Sequence, residues 1–260
     1  MSLPIIIANR FAKIVGTLVK TLAYPFHFIF PNKRFTIPLH AKPIINSKKK
    51  SKIPKIIWQT NYTNRVTFPV YCNYLFNRLM SLSYEYRYVS TEEREKFIKE
   101  HASQEQYKAF LQLTDGASQA DFWRLLVLNF SGGIYMDIDA HLVWPLSKII
   151  KEDDIEVFLL NKRHYTNYFI ASTKNNPILE DSLKLILKNI QEKKIDGGVY
   201  ALTGPDILNH IIEEKRGEKK VNHRYYKYTC IQGSFTNEYF QYLDKPRGKW
   251  THAKKEDLLK

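Results

Sequence analysis

The stretch Asn129–Leu146 reads NFSGGIYMDIDAHLVWPL, and its reading decides the fold. Two glycines interrupt a helical pattern and open an apolar run that carries two aspartates one residue apart. On a strand, alternate side chains take opposite faces. Ile134, Met136 and Ile138 then enter the core. Tyr135, Asp137 and Asp139 take the other face, with the carboxylates about 7 Å apart along the chain. Two anions on one face repel unless a cation lies beside them. A hard divalent ion, Mn2+ or Mg2+, meets that need, because it favours carboxylate oxygens and shares its other positions with phosphate.

Immediately upstream, residues 117–130 are apolar almost all round and predict a buried helix. Asp121 and Arg124 lie three apart on one side of it. A buried ion pair is one reading, but burying both charges is costly, and such pairs often serve a site. The helix runs straight into the glycine turn, so Asp121, Arg124, Tyr135, Asp137 and Asp139 converge. A carboxylate for hydroxyls, a guanidinium for phosphate, an aromatic face and a metal pair compose a nucleotide-sugar site.

Further out, IPKIIWQ at 53–59 suits a first buried strand, and YEYRYV at 84–89 alternates as a second. Ser90 with Glu93 forms a capping box that starts a helix near Thr91. Strands are expected at 157–162 and 168–172, with helices at 70–82, 177–192 and 205–214. This alternation predicts an α/β fold around a mainly parallel central sheet flanked by helices. Ligands of such sheets gather beyond the carboxyl ends of the strands, where the aspartates stand.

The net charge of +14 is unevenly placed. No Asp or Glu precedes Glu85, whereas that segment holds 13 Lys or Arg; the remainder carries 27 basic and 26 acidic residues. An acidic surface partner therefore belongs at the N-terminal third. Residues 5–30 are apolar but interrupted by Arg10, Lys13 and Lys20, too often for a membrane span. Arg10, Lys13, Thr17, Lys20 and Tyr24 form a polar stripe, opposite Phe11, Ile14, Val15, Leu18, Val19 and Leu22. Such a basic amphipathic helix lies in a membrane interface, with Pro25 and Pro31 expected to end it. SKKKSK at 47–52 adds a polybasic patch for an anionic membrane surface. Packing of the helix on the protein's own core is the competing reading. The basic residues are not interleaved with stacking aromatics on a recognisable module, which argues against nucleic acid. Cys72 and Cys230 fit no metal or redox spacing and read as buried free thiols.

On these residues the chain resembles glycosyltransferase family 32, the DXD-containing sugar-transfer proteins whose core is shared with the large clostridial glucosylating toxins. The matching pieces are IPKIIWQT at 53–60, ASQADFWRLLVLNFSGGIYMDIDAHLVWPL at 117–146, NYFIASTKNNP at 167–177 and LTGPDIL at 202–208. The resemblance implies a GT-A (Rossmann-like) fold, a nucleotide-sugar donor, Mn2+ or Mg2+, and transfer with retention. UDP-hexose or UDP-N-acetylhexosamine is the favoured donor, with GDP-mannose second. By the same resemblance Asp121 and Arg124 hold donor sugar and diphosphate, Tyr135 lies near the nucleotide, Asp137 contacts ribose and sugar, and Asp139 binds metal. Trp58 and Gln59 line the nucleotide pocket, Asn167 faces sugar or acceptor, and Gly204 shapes a loop near the donor. Relatives commonly carry a His where Trp58 stands. Their Ser-Trp near the C-terminus finds only Lys249-Trp250 here as a candidate.

The expected organisation is a membrane-associating helix over 1–32, a polybasic linker over 33–52, a GT-A domain over 53–250 and a frayed tail over 251–260. With the basic N-terminus, the expected acceptor is a lipid-linked glycan of surface polysaccharide synthesis, on the cytoplasmic face of the inner membrane. Transfer to a protein acceptor, or an inactive membrane-bound binding subunit of a polysaccharide assembly complex, are the alternatives.

Overall fold

The structure is a computed structural model describing residues 3–215, 221–245 and 254–260. Its first elements are helix α1 (Leu3–Ile29), strands β1 (Phe35–Thr36), β2 (His40–Ala41), β3 (Ile56–Thr60) and β4 (Arg65–Val66), and helix α2 (Phe68–Met80). Strand β5 (Glu85–Val89) and helices α3 (Thr91–His101), α4 (Gln104–Gln112) and α5 (Gly116–Ser131) follow. Then come β6 (Gly133–Met136), β7 (Ala140–Leu142), α6 (Leu146–Ile149), β8 (Glu156–Asn161) and β9 (His164–Ser172). Helices α7 (Pro177–Gln191), α8 (Gly198–Leu202) and α9 (Pro205–Lys215), strands β10 (His223–Tyr225) and β11 (Cys230–Gln232), and helix α10 (Glu238–Gln241) complete the order.

A seven-stranded sheet of order β10-β8-β9-β6-β3-β5-β2 forms the centre. β3 runs parallel to both β5 and β6, and β10 is parallel to β8. β9 is antiparallel to both of its neighbours, β6 and β8, and β2 is antiparallel to β5. Five of the seven strands thus share one direction, as expected for a mainly parallel sheet, and β9 is an antiparallel insertion in its middle. Two short antiparallel pairs, β1 with β4 and β7 with β11, stand apart from it.

Local chemistry explains the elements around the site. Asp115 caps α5, its carboxylate accepting from the Ala117 and Ser118 amides. Gly132 ends that helix at φ +68°, and Gly133 follows at φ +109°. A Cβ on Gly133 would lie 2.8 Å from the Ile56 carbonyl, so the glycine lets β6 lie tight on β3. Side chains on β6 feed two cores. Tyr135 joins the layer under α3, α5, α7 and α9, with Trp123, Phe158 and Leu208. Ile134 and Met136 join the opposite layer, with Tyr86, Phe169 and Val70 of α2.

Both ends of the chain depart from expectation. Helix α1 does not stop at Pro25 but continues to Ile29. Pro25 and Thr21 are both exposed, so the Thr21 carbonyl that proline leaves without a helical donor faces water. Residues 33–52, read as a linker, supply β1 and the sheet-edge strand β2. The described part of the tail is docked rather than frayed: Leu258 is buried and Leu259 bridges to Leu113. Cys72 and Cys230 are free thiols; Cys230 is buried and Cys72 half-buried.

Candidate active site

Arg124, buried on α5, organises the site. Its Nη2 lies 3.0 Å from Asp121 Oδ1 and 3.4 Å from Asp137 Oδ1, while Nη1 donates to the Asn167 carbonyl at 2.8 Å. The guanidinium sits over the Tyr135 ring, 4.4 Å from its centroid. Tyr135 donates its phenol to Asp137 Oδ1 at 2.6 Å. Burial keeps that phenol well above its ordinary pKa, so it stays a donor. Asp121 is enclosed too: Asn167 Nδ2 donates to Oδ1 at 3.0 Å and Thr203 Oγ1 to Oδ2 at 3.3 Å. Burial, partly offset by Arg124, raises Asp121 to about 7.

The two aspartates are not successive positions of a strand. β6 ends at Met136, and the Ala140 amide donates to the Asp137 carbonyl at 3.1 Å, closing a turn over Asp137–Ala140. The turn replaces the expected alternation and lets one side chain touch both carboxylates. Gln232 Nε2 donates to Asp137 Oδ2 and to Asp139 Oδ1, each at 3.1 Å. Gln232 reaches them because β11 pairs with β7 in the register Gln232↔Ala140. Burial first, then the Asp137 carboxylate, raise Asp139 to about 7.

This donor set fits a hard divalent cation. Two carboxylates held around one amide, one of them destabilised by its anionic neighbour, are satisfied by a proton or a cation. Among the described residues no group of three His, Cys, Asp or Glu converges for a metal. Asp137, Asp139 and the amide oxygen of a turned Gln232 are the groups that could hold one, with other positions left to phosphate and water.

The structure brings Asp121, Arg124, Tyr135, Asp137, Asp139 and Asn167 into one cluster. Gln59 borders it through Nε2, which donates to the Asp137 carbonyl at 3.2 Å. Trp58 points elsewhere: its indole donates to the Gly132 carbonyl at 3.0 Å and packs edge-on against Trp123, at the start of β6 rather than its end. Gly204 lies in the α8–α9 turn, where a Cβ would meet the Tyr200 backbone at 2.8 Å. Its neighbour Thr203 is the residue that reaches Asp121. Trp250, like Lys249, lies outside the described residues.

Gln232, Thr203 and Arg94 were missed from sequence. Arg94 is buried on α3, donating to Thr60 Oγ1 at 3.3 Å and Thr91 Oγ1 at 3.4 Å, with Nε unpartnered and no carboxylate pairing among the described residues. Burial lowers it to about 10. Its only sequence signal was a cation four residues after the Ser90 cap.

A family profile described as "Glycosyltransferase sugar-binding region containing DXD motif" matches residues 69–156. That span holds Asp121, Arg124, Tyr135 and both turn aspartates. Residues 69–156 are thus similar to a DXD-type glycosyltransferase sugar-binding region. The chain is similar to a protein named "Toxin" from Photorhabdus asymbiotica, 31% identical over 128 residues, and to "Toxin Afp18" from Yersinia ruckeri, 32% identical over 109 residues. These matches cover 45% and 38% of this chain but 4% and 5% of the relatives' own lengths. Among solved structures, "PaToxG Glycosyltransferase" superposes with a TM-score of 0.52 at 20% identity, over 82% of this chain and 80% of that one. The fold is of the GT-A type. Two of these proteins are named as toxins and the third as a glycosyltransferase; none of the names singles out family 32 or capsule synthesis.

Proposed function

We propose that this chain is a metal-dependent retaining glycosyltransferase that uses a UDP-hexose or UDP-N-acetylhexosamine and transfers the sugar to a protein. The observation that carries the chemistry is Arg124, held rigidly between Asp121 and Asp137 beside the Asp137–Asp139 turn. Cleavage of the sugar–phosphate bond puts negative charge on the departing diphosphate. A guanidinium already oriented by two carboxylates and the Asn167 carbonyl stabilises that charge without reorganising. Asp121, backed by Asn167 and Thr203, is placed to accept from donor-sugar hydroxyls. Asp137, fixed by Tyr135 and Gln232, and Asp139 are the residues to hold Mn2+ or Mg2+. A bound divalent cation supplies Lewis-acid stabilisation of the diphosphate oxygens.

A protein acceptor is favoured over a lipid-linked glycan because the matched relatives are toxins, and the resemblance to glucosylating toxins implies protein targets. The surface-polysaccharide reading draws nothing from these relatives. The test is release of nucleoside diphosphate from a panel of UDP- and GDP-sugars with and without Mn2+, beside Asp137→Ala and Asp139→Ala. Turnover of one UDP-sugar, lost in both variants, is expected. Donor binding without turnover would overturn the enzyme in favour of a binding subunit. Radiolabel from the donor, offered to a cell lysate, should enter protein. Label confined to solvent-extractable lipid would overturn the acceptor.

A further inference from the structure

We propose that the outer face of α1 docks on an anionic lipid surface. The interaction is a property of the surface and holds whether or not the site transfers sugar.

Helix α1 presents two unlike faces. Ala12, Gly16, Ala23 and His27 are buried against the body. A Cβ on Gly16 would come within 2.9 Å of the Phe235 ring, so the helix lies close on the segment that follows β11. Lys20 Nζ donates to the Gly233 carbonyl at 2.8 Å, Asn9 Nδ2 to the Lys227 carbonyl at 2.6 Å, and Tyr24 accepts from Asn237 at 2.9 Å. The opposite face is a continuous apolar seam. Leu3, Ile7, Phe11, Ile14, Leu18 and Leu22 follow one another at intervals of three or four, each 57% exposed or more. Phe28, Ile29 and Phe30 extend it, also exposed. An apolar stripe this long marks an interaction surface.

Charge decides the occupant. α1 carries Arg10, Lys13 and Lys20 and no carboxylate, and no Asp or Glu occurs before Glu85. Arg10 lies three residues from Ile7 and four from Ile14, on the flank of the seam. A second copy packed seam to seam would bring the exposed Arg10 of each helix toward the other with no acid on either helix to offset them. A lipid interface instead offers acyl chains to the seam and headgroup anions to its basic flank. No described helix is long and apolar enough to cross a membrane, so the geometry points to a helix lying in the interface.

The inner face ties this surface to the site. Lys20 holds the Gly233 carbonyl, the Gly233 amide donates to the Asp139 carbonyl at 3.2 Å, and the preceding Gln232 bridges both carboxylates.

The test is flotation of the full chain with vesicles of phosphatidylcholine alone or with phosphatidylserine added. Binding to the phosphatidylserine vesicles, weakening as salt is raised, is expected. Ile14→Glu with Leu18→Glu should lower that binding by more than about tenfold. Because both side chains are exposed, thermal midpoint and metal-dependent nucleotide release should not change. Arg10→Glu with Lys13→Glu should lower it several-fold on phosphatidylserine vesicles only. Failure to float, equal binding to both vesicle types, or full binding by the seam variant would each overturn the proposal. A dimer in light scattering that the seam variant converts to monomer would assign the face to a second copy instead.

Discussion

Helices α1 and α5 are both largely apolar with a few charges, and they meet opposite fates. α5 is buried on most of its circumference, charges included. α1 buries Ala12, Gly16, Ala23 and His27 and leaves its large apolar side chains in water. The difference lies in partners. Arg124 finds two carboxylates, a carbonyl and an aromatic face within reach. Arg10 and Lys13 belong to a segment with no carboxylate at all. Arg10 and Lys13 have no such set of partners and stay exposed to water.

The severest way to break the comparison is Arg124→Met. It leaves Asp121 enclosed without its cation and should destabilise the fold by about 3–5 kcal/mol, read from urea denaturation, with loss of donor turnover. A stability change as small as that of a surface substitution would show that Asp121 takes up a proton and needs no partner. Next is Gly16→Val. The added methyls meet Phe235 and the Ser234 backbone, and a loss of about 1–3 kcal/mol is expected by the same measurement.

Titration sharpens the picture of the acid cluster. Asp121 and Asp139 are both raised to about 7, from an unfolded value of 3.8. Between those values the folded chain binds more protons than the unfolded one, so their effect is to make stability fall as pH rises through that window. A thermal midpoint of the metal-free protein that declines from about pH 5 to about pH 7.5 is expected. The decline should flatten in Asp121→Asn or Asp139→Asn, and Mn2+ should restore stability at the upper end. Leu18→Ser comes last. On the exposed seam it should change stability by less than about 0.5 kcal/mol, and a larger loss in urea would mean the seam is already covered.

Much of the site could be read because it is local. Asp121 and Arg124 lie on one helix, a glycine pair ends it, and Tyr135, Asp137 and Asp139 follow within a few residues. Periodicities of 3.6 and 2 suffice to put them together. The same local signals located α3 through its capping box and α5 through its glycine stop. Pro25 misled because a proline's effect depends on whether the carbonyl it frees can reach water, which only the packed helix reveals. Asp139 misled because two residues of turn replaced two of strand, and both conformations suit that apolar run.

What the sequence by itself determined is the α/β class, the aspartate pair with its arginine, and the separation of a basic segment from a neutral body. Those follow from composition and short-range spacing. Only the tertiary structure decided that Gln232 and Thr203 complete the acid cluster, since β11 and the α8–α9 turn arrive from far along the chain. It alone decided which face of α1 is turned outward. An amphipathic pattern names two faces but not their destinations. Here the close approach of Gly16 to Phe235 left no room for a large side chain on that stretch, and the large apolar ones were left outside.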